Sequence, residues 1–262
     1  MEDPGQPHPA SRLFPRIHVG VGGWTFEPWR NNFYPAGLAH SRELQYASRQ
    51  LTAIEVNGTF YSTFRTETFA KWRDETPEGF VFSLKAHRFT THRKDMGTAA
   101  EGVQRFVASG LAELGDKLGP LLWQFMPTKQ FVAEEVEAFL RLARKKAQGR
   151  PLRHVLDVRH PSFACEAYLD LLARHDCTTV YTDSPKFPAI AHARSGLAYL
   201  RLMRSEADCA TGYPAQDLRA WVQGAHEWTG MGTGNEAFVF FINGAKERAP
   251  AAAMEFLRQL QA

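Results

Sequence analysis

The sequence predicts an α/β protein built as a TIM-like (β/α)8 parallel barrel in a single domain. Three observations predict it: eight short apolar runs recur along the chain, helix-like stretches separate them, and 262 residues is the usual length of one such barrel. A doubly wound open sheet is the alternative. It would carry a GxGxxG turn after an early strand, and "GVGG" at Gly20–Gly23 is too short to be one.

The elements follow in order. The opening "MEDPGQPHPASRLFPR" is rich in proline and has no apolar segment of the kind a secretory signal needs, so residues 1–15 are expected to be a loose leader and 16–262 the barrel domain. Strand one is "RIHVGVGG", followed by the helix "SRELQYASRQ". Strand two is "LTAIEVN", followed by "RTETFAKWRDE". Strand three is "GFVFSLKAH", followed by "AEGVQRFVASGLAELG". Strand four is "GPLLWQF", followed by "AEEVEAFLRLARKKAQ", where Val136, Phe139, Leu140 and Ala143 recur at a helical period. Strand five is "RHVLDVR", with "EAYLDLLARH" after it. Strand six is "CTTVYTD", with a short helix expected in "FPAIAHA". Strand seven is "GLAYLRLM", with "AQDLRAWVQGAHEW" after it. The glycine-rich "TGMGTGNEA" reads as a loop before strand eight, "EAFVFFIN", and "AAAMEFLRQLQA" closes the chain.

Composition narrows the functional classes. With 44% hydrophobic and 23% charged residues the chain can build a core and is not of the disordered type. A net charge of +3 suits anionic ligands but lacks the dense basic footprint of a dedicated nucleic-acid binder. The run "LARKKAQGR" ends a helix, where cations suit the dipole, and is read as a solvated face. The three cysteines, Cys165, Cys177 and Cys209, are well separated and form no CxxC pair, as expected of reduced thiols in a cytoplasmic protein. No apolar run approaches a membrane span, so no membrane partner is expected.

Side chains alternate across a strand, so in a barrel one parity faces the helices and the other faces the interior. With Ile54 and Val56 toward the helices, Glu55 and Asn57 point inward. With Phe80, Phe82 and Leu84 outward, Ser83, Lys85 and His87 point inward. Gln124 is inward if Leu121 and Trp123 are outward. Asp157 and Arg159 share a parity opposite Leu156 and Val158. Thr179, Tyr181 and Asp183 are placed opposite Val180, Arg201 opposite Leu200 and Leu202, and Asn243 with Val239 and Phe241, opposite Phe238, Phe240 and Ile242. Polar groups therefore converge at the carboxyl ends of several strands, where barrels of this type place their sites. Glu55, Asp157 and Asp183 would face Lys85, Arg159 and Arg201, a balanced set of charges.

The motifs "GVGGWTFEPWRNNFYP", "EVNGTFYSTF", "KWRDETPEGFVFSLKAHRFTTH", "GPLLWQF", "LDVRHPSF", "YLRLM" and "FFIN" together resemble the YecE-like family, domain-of-unknown-function family 72, over nearly the whole chain. The resemblance implies a TIM-like barrel and no established activity. It implies that Trp24, Glu55, Asn57, Thr59, Tyr61, Lys85, His92, Gln124, Arg159, Asp183, Arg201 and Asn243 occupy motif positions. Asp157 stands where the family usually has Glu, Met203-Arg204 where it usually has His-Gly, and Ile242 where it usually has the first of two Asn.

Lys85, His92, Asp157 and Asp183 are the candidate catalytic residues. A lysine in a desolvated mouth can have a lowered pKa, histidine titrates near neutrality, and two carboxylates from neighbouring strands can do acid/base work. Trp24, Glu55, Asn57, Tyr61, Gln124, Arg159, Arg201 and Asn243 are the candidate substrate-binding residues. The arginines would clamp a carboxylate or phosphate, and the aromatics Trp24, Trp29, Phe60 and Tyr61 would wall the pocket. No metal ligand is assigned, and the cofactor is left unknown. A divalent ion on Asp157, Asp183 and Glu55 is disfavoured because HExxH and HxH are absent and three cations share the site. The expected function is an enzyme acting on a small phosphorylated or carboxylated substrate, with hydrolysis favoured. A nucleic-acid-processing or nucleic-acid-binding protein and a non-catalytic metabolite-binding protein are the alternatives, so enzymatic activity itself is left open.

Overall fold

Each of the eight apolar runs forms a strand in a computed structural model of the chain, which describes residues 6–143, 146–191, 195–232 and 234–262. The strands are β1 Ile17–Gly22, β2 Ala53–Val56, β3 Val81–Lys85, β4 Leu118–Gln124, β5 His154–Asp157, β6 Thr178–Thr182, β7 Leu197–Leu202 and β8 Glu236–Phe241. Every neighbouring pair is parallel, and β1 pairs with both β2 and β8, so the sheet closes on itself. Closure removes the sheet edges that an open arrangement would expose.

Seven helices of eight residues or more lie outside the barrel among the described residues: α1 Glu43–Gln50, α2 Thr66–Glu75, α3 Ala100–Val107, α4 Ala133–Leu142, α5 Glu166–Arg174, α6 Ala215–Met231 and α7 Ala249–Leu260. Large aromatic side chains fill the layer between helices and sheet. Trp72 of α2 stacks on Phe82, and Phe139 of α4 meets Trp123 edge-on. Burying one such ring contributes roughly 1.5–3 kcal/mol, which explains why the outward parity of β3 and β4 is so uniformly apolar.

Three stretches end differently from the sequence expectation. The helix expected across 100–115 stops at Val107, because Gly110 takes φ +99 and a Cβ there would lie 2.6 Å from Thr66 Oγ1; a 3-10 segment, Leu111–Lys117, continues. The helix expected through the basic run ends at Leu142, and Lys146–Ala147 pairs antiparallel with Arg150–Pro151 instead. Arg144 and Lys145 of that run lie outside the described residues. Between β6 and β7, residues 183–191 carry no helix, and the remainder of the expected "FPAIAHA" helix lies outside the described residues. In the leading segment, Pro9–Leu13 forms a short helix whose Ala10 is buried.

The inward parity is as expected in β2, β3, β4, β5 and β7, and is reversed in β6 and β8. The inner core contains Ala53, Val81, Leu122, Val155, Val180, Leu197, Tyr199, Phe238, Phe240 and Ile242. Val180 thus faces inward, while Thr179 bonds Tyr168 of α5 and Tyr181 meets Trp221 of α6. Likewise Phe238 and Phe240 face inward, and Val239 and Phe241 pack in the helix layer. On β1, Gly22 makes room for Asn57 and Ile242: a Cβ there would lie 2.9 Å from Asn57 Nδ2 and 3.2 Å from Ile242 Cδ1.

Candidate active site at the barrel mouth

Arg201 organises the mouth. It is only 2% exposed, near the end of β7, and its guanidinium reaches two other strands. Nε and Nη2 donate to Glu55 Oε2 and Oε1, each at 3.0 Å, and Nη1 donates to Asp157 Oδ2 at 2.6 Å. The two-pronged contact with Glu55 matches the planar fork of arginine to the carboxylate. Burial works against the Arg201 charge, but Glu55 and Asp157 outweigh it and hold its pKa above the ordinary arginine value.

Further donors reach both carboxylates. Tyr199 Oη donates to Glu55 Oε2 at 2.9 Å and stands 2.7 Å from Ser83 Oγ. Burial and the Glu55 charge push the Tyr199 hydroxyl well above its usual pKa, so it stays a donor. Asn57 Nδ2 donates to Glu55 Oε1 at 3.3 Å. Arg159, two residues past β5, donates through Nη2 to Asp157 Oδ2 at 3.1 Å and to Gln124 Oε1 at 2.7 Å. Its guanidinium lies over the Phe187 ring, 4.5 Å from the centroid. Arg159 Nε is buried with no hydrogen-bond partner among the described residues.

Lys85 ends β3 at the same mouth and is 6% exposed. Its amine makes no ion pair among the described residues and sits over the Phe60 ring, 4.2 Å from the centroid. Burial is the main cause that lowers its pKa to about 8; Arg201 adds to the effect and Glu55 and Asp157 oppose it. Its backbone is fixed by Thr59 Oγ1, which donates to the Lys85 carbonyl at 2.7 Å.

Residues 18–262 match the family described as "Protein of unknown function DUF72". The chain belongs to the DUF72 family. It is 31% identical over 130 residues to the UPF0759 protein YunF of Bacillus subtilis, an alignment that covers 48% of this chain and 45% of that protein; it thus spans less than half the length of that relative. A DUF72 family protein from Thermotoga maritima has a similar structure, with a TM-score of 0.73, 22% identity, and coverage of 94% of this chain and 99% of the other. One from Enterococcus faecalis gives a TM-score of 0.65 at 15% identity, covering 94% of each chain. At these identities the structural likenesses speak for the fold alone.

In this DUF72 protein the mouth brings together Glu55, Asn57, Lys85, Gln124, Asp157, Arg159 and Arg201, all of them expected from sequence. It does not bring in Asp183. That carboxylate accepts from the Met203 N–H at 2.6 Å and from Tyr213 Oη at 2.8 Å, and it lines a separate cavity of about 350 Å³ with Arg204, Tyr213 and Trp221. The balanced set of charges therefore becomes three cations, Lys85, Arg159 and Arg201, against two carboxylates, Glu55 and Asp157. Asn243 is exposed, with Nδ2 3.9 Å from Met203 Sδ. Trp24 belongs to the helix layer, edge-on to Trp72 at 5.1 Å, and Trp29 is buried with Nε1 donating to the Lys246 carbonyl at 2.9 Å, so neither walls the mouth. His92 and the 64% exposed Tyr61 flank Phe60, with ring centroids at 5.3 and 5.0 Å. Burial and then Lys85 lower the His92 pKa below the ordinary histidine value.

Ile242 joins the apolar inner core where the family resemblance expects asparagine. Asp157 still reaches Arg201. Among the described residues no group of three or more His, Cys, Asp or Glu side chains is placed to hold a metal ion, since Asp183 is elsewhere and Glu55 and Asp157 converge on Arg201. Sequence reasoning missed Phe187, which covers Arg159. It also left Tyr199 out of the site, although Tyr199 shares the inward parity of Arg201. A cavity of about 180 Å³ behind the β3 loop, lined by Thr59, Phe64, His87, Arg93 and Phe106 among others, is not lined by Glu55, Lys85, Asp157 or Arg201. No helix among the described residues is long and apolar enough to cross a membrane.

Proposed function

We propose that this DUF72 protein is an enzyme that binds a small phosphorylated or carboxylated substrate at the barrel mouth. The observation that carries this is the excess of positive charge there: among the described residues Lys85 makes no ion pair, and Arg159, paired with Asp157 through Nη2, keeps a buried Nε donor without an acceptor, while Glu55 and Asp157 both bind Arg201. Leaving a buried donor unsatisfied costs about 1–3 kcal/mol, which an arriving anion would recover. Each Arg201 nitrogen already donates to a carboxylate, so the clamp that the sequence puts on Arg159 and Arg201 falls instead to Arg159 and Lys85. Hydrolysis is the less favoured reaction class, because Glu55 and Asp157 both bind arginines and Asp183 stands apart from them.

Thermal melting with inorganic phosphate tests the site, since a ligand that binds only the folded form raises Tm. Phosphate is expected to raise the Tm of the wild type clearly more than that of Arg159→Ala. Equal shifts in both proteins would remove Arg159 from the site and the anion proposal with it.

A second proposal, a nucleic-acid partner, draws on the loop after β3, where His87, Arg88, His92, Arg93 and Lys94 surround Phe89, itself 59% exposed. Binding through many phosphates would weaken steeply as salt rises, whereas a single small anion would show a shallow dependence.

A further inference from the structure

We infer that Lys85 is a nucleophile, whose amine condenses at the barrel mouth with the carbonyl carbon of a small aldehyde or ketone that also carries a carboxylate or phosphate. The inference rests on the anion site proposed above and names the substrate class for it.

Among the described residues Lys85 has no acidic partner. A buried ammonium ordinarily sits against a carboxylate, because an unpaired buried charge is costly. Two carboxylates are present in this mouth, yet both converge on Arg201, whose fork takes both oxygens of Glu55 and one of Asp157. Lys85 is left with an aromatic face, and Arg201 and Arg159 act on its amine against Glu55 and Asp157. Desolvation and a second cation nearby are the two devices that release a lysine amine as a nucleophile. The lowering of the Lys85 pKa to about 8, from burial first and Arg201 next, agrees with that geometry and makes the neutral amine a substantial fraction near neutrality.

The anchor for the other end of the substrate is Arg159. Its Nη2 is spent on Asp157 and Gln124, its face rests on Phe187, and its buried Nε still has a proton to donate. An uncharged carbonyl compound would leave that donor unsatisfied. A carbonyl compound with an anionic group would occupy Arg159 and present its carbonyl to Lys85.

The step balances. The ammonium first releases one proton. The amine lone pair then forms the N–C bond as the C=O π pair moves to oxygen. A second nitrogen-bound proton is transferred to that oxygen, the first returns to it, and the C–O bond breaks to release water. Ammonium plus carbonyl therefore becomes a protonated imine plus water, with the same net charge and no oxidant or reductant.

The test is reductive trapping on the wild-type protein. Pyruvate and dihydroxyacetone phosphate are the anionic probes, acetone is the neutral one, and cyanoborohydride reduces any imine to a stable secondary amine located by peptide mass mapping. Lys71 of α2, exposed and paired with Glu75 at 3.6 Å, is the internal reference for ordinary lysines. Lys85 is expected to be labelled by an anionic probe at least about tenfold faster than Lys71, and faster than by acetone. Lys85→Arg is expected to lose the labelled peptide while Lys71 is labelled as in the wild type. Labelling of Lys85 no faster than Lys71 while phosphate still raises Tm would overturn this inference and leave the anion site standing. Equal labelling by acetone and both anionic probes would overturn the substrate class. Loss of both the labelling and the phosphate effect would overturn the inference and the anion site together.

Discussion

The two sides of the barrel interior are built on different physics. From β2 through β5, and again on β7, inward positions near the carboxyl ends carry Glu55, Ser83, Lys85, Gln124, Asp157, Tyr199 and Arg201, and nearly all are joined by directional bonds. On β6 and β8 the inward positions Val180, Phe238 and Phe240 are apolar, and Thr182, at the end of β6, joins the polar side by donating to the Arg201 carbonyl at 2.8 Å. The apolar side can repack when one residue changes, because dispersion and burial are graded and non-directional. The polar side cannot, because removing one member strands its partners. The difference teaches that the mouth tolerates substitution in only one direction around its rim.

Breaking the polar side should give the largest effect. Arg201→Met leaves Glu55 buried without its cation and Asp157 with Arg159 alone, and is expected to destabilise by about 3–5 kcal/mol, measured by denaturant unfolding. A loss below about 1 kcal/mol would mean that the network behaves like a surface pair, and the contrast between the two sides would collapse.

Lys85→Met should behave differently from Arg201→Met although both remove a cation. The folded pKa of Lys85, about 8, lies below its ordinary value of 10.5. Between those values the unfolded chain binds more protons than the folded one, so wild-type stability contains a component that rises with pH across that window. Below it the cost of the buried charge is fully present. At about 1.4 kcal/mol per pKa unit the component is of the order of 1–3 kcal/mol. Relative to Lys85→Met, wild-type stability is expected to climb from pH 8 to 10.5, and the variant should be no less stable than wild type at pH 7. Parallel stability curves for the two proteins would show that Lys85 is not desolvated.

On the apolar side, Phe240→Leu is expected to cost only about 1 kcal/mol, with no pH dependence beyond that of the wild type. The smallest effect belongs to Asp183→Asn, which should leave the Tm rise with inorganic phosphate unchanged. A diminished rise would return Asp183 to the mouth and restore the balanced set of charges.

The same contrast decides what was legible in the sequence. In "AIEV" and "VFSLK" a charge or hydroxyl interrupts the apolar positions at a period of two, and the phase can be read directly. In "TTVYT" the threonines and tyrosine suit either face, and in "AFVFF" every residue is apolar, so neither strand announces a phase. Counting from those ambiguous strands puts Asp183 and Asn243 in the mouth, and the reversal of both strands takes them out of it. Trp24 was read from its motif, but its packing against Trp72 depends on α2, distant in sequence. The eight strands were legible because each stands between turn signals. The pairing of Glu55 and Asp157 with Arg201, rather than with Lys85, was not, because composition constrains the charges present and not who meets whom.

The Arg201 fork also bears on the order of events when the chain folds. It ties β7 to β2 and β5, strands that are not neighbours in the sheet, and its bonds to Glu55 join positions 146 apart. Such long-range contacts have to await closure of most of the loop between them. A contact that forms after the rate-limiting barrier acts on escape from the native state rather than on arrival at it. Arg201→Met should therefore accelerate unfolding while leaving the refolding rate almost untouched. The salt-bridged mouth would then serve as a latch on the lifetime of the closed barrel.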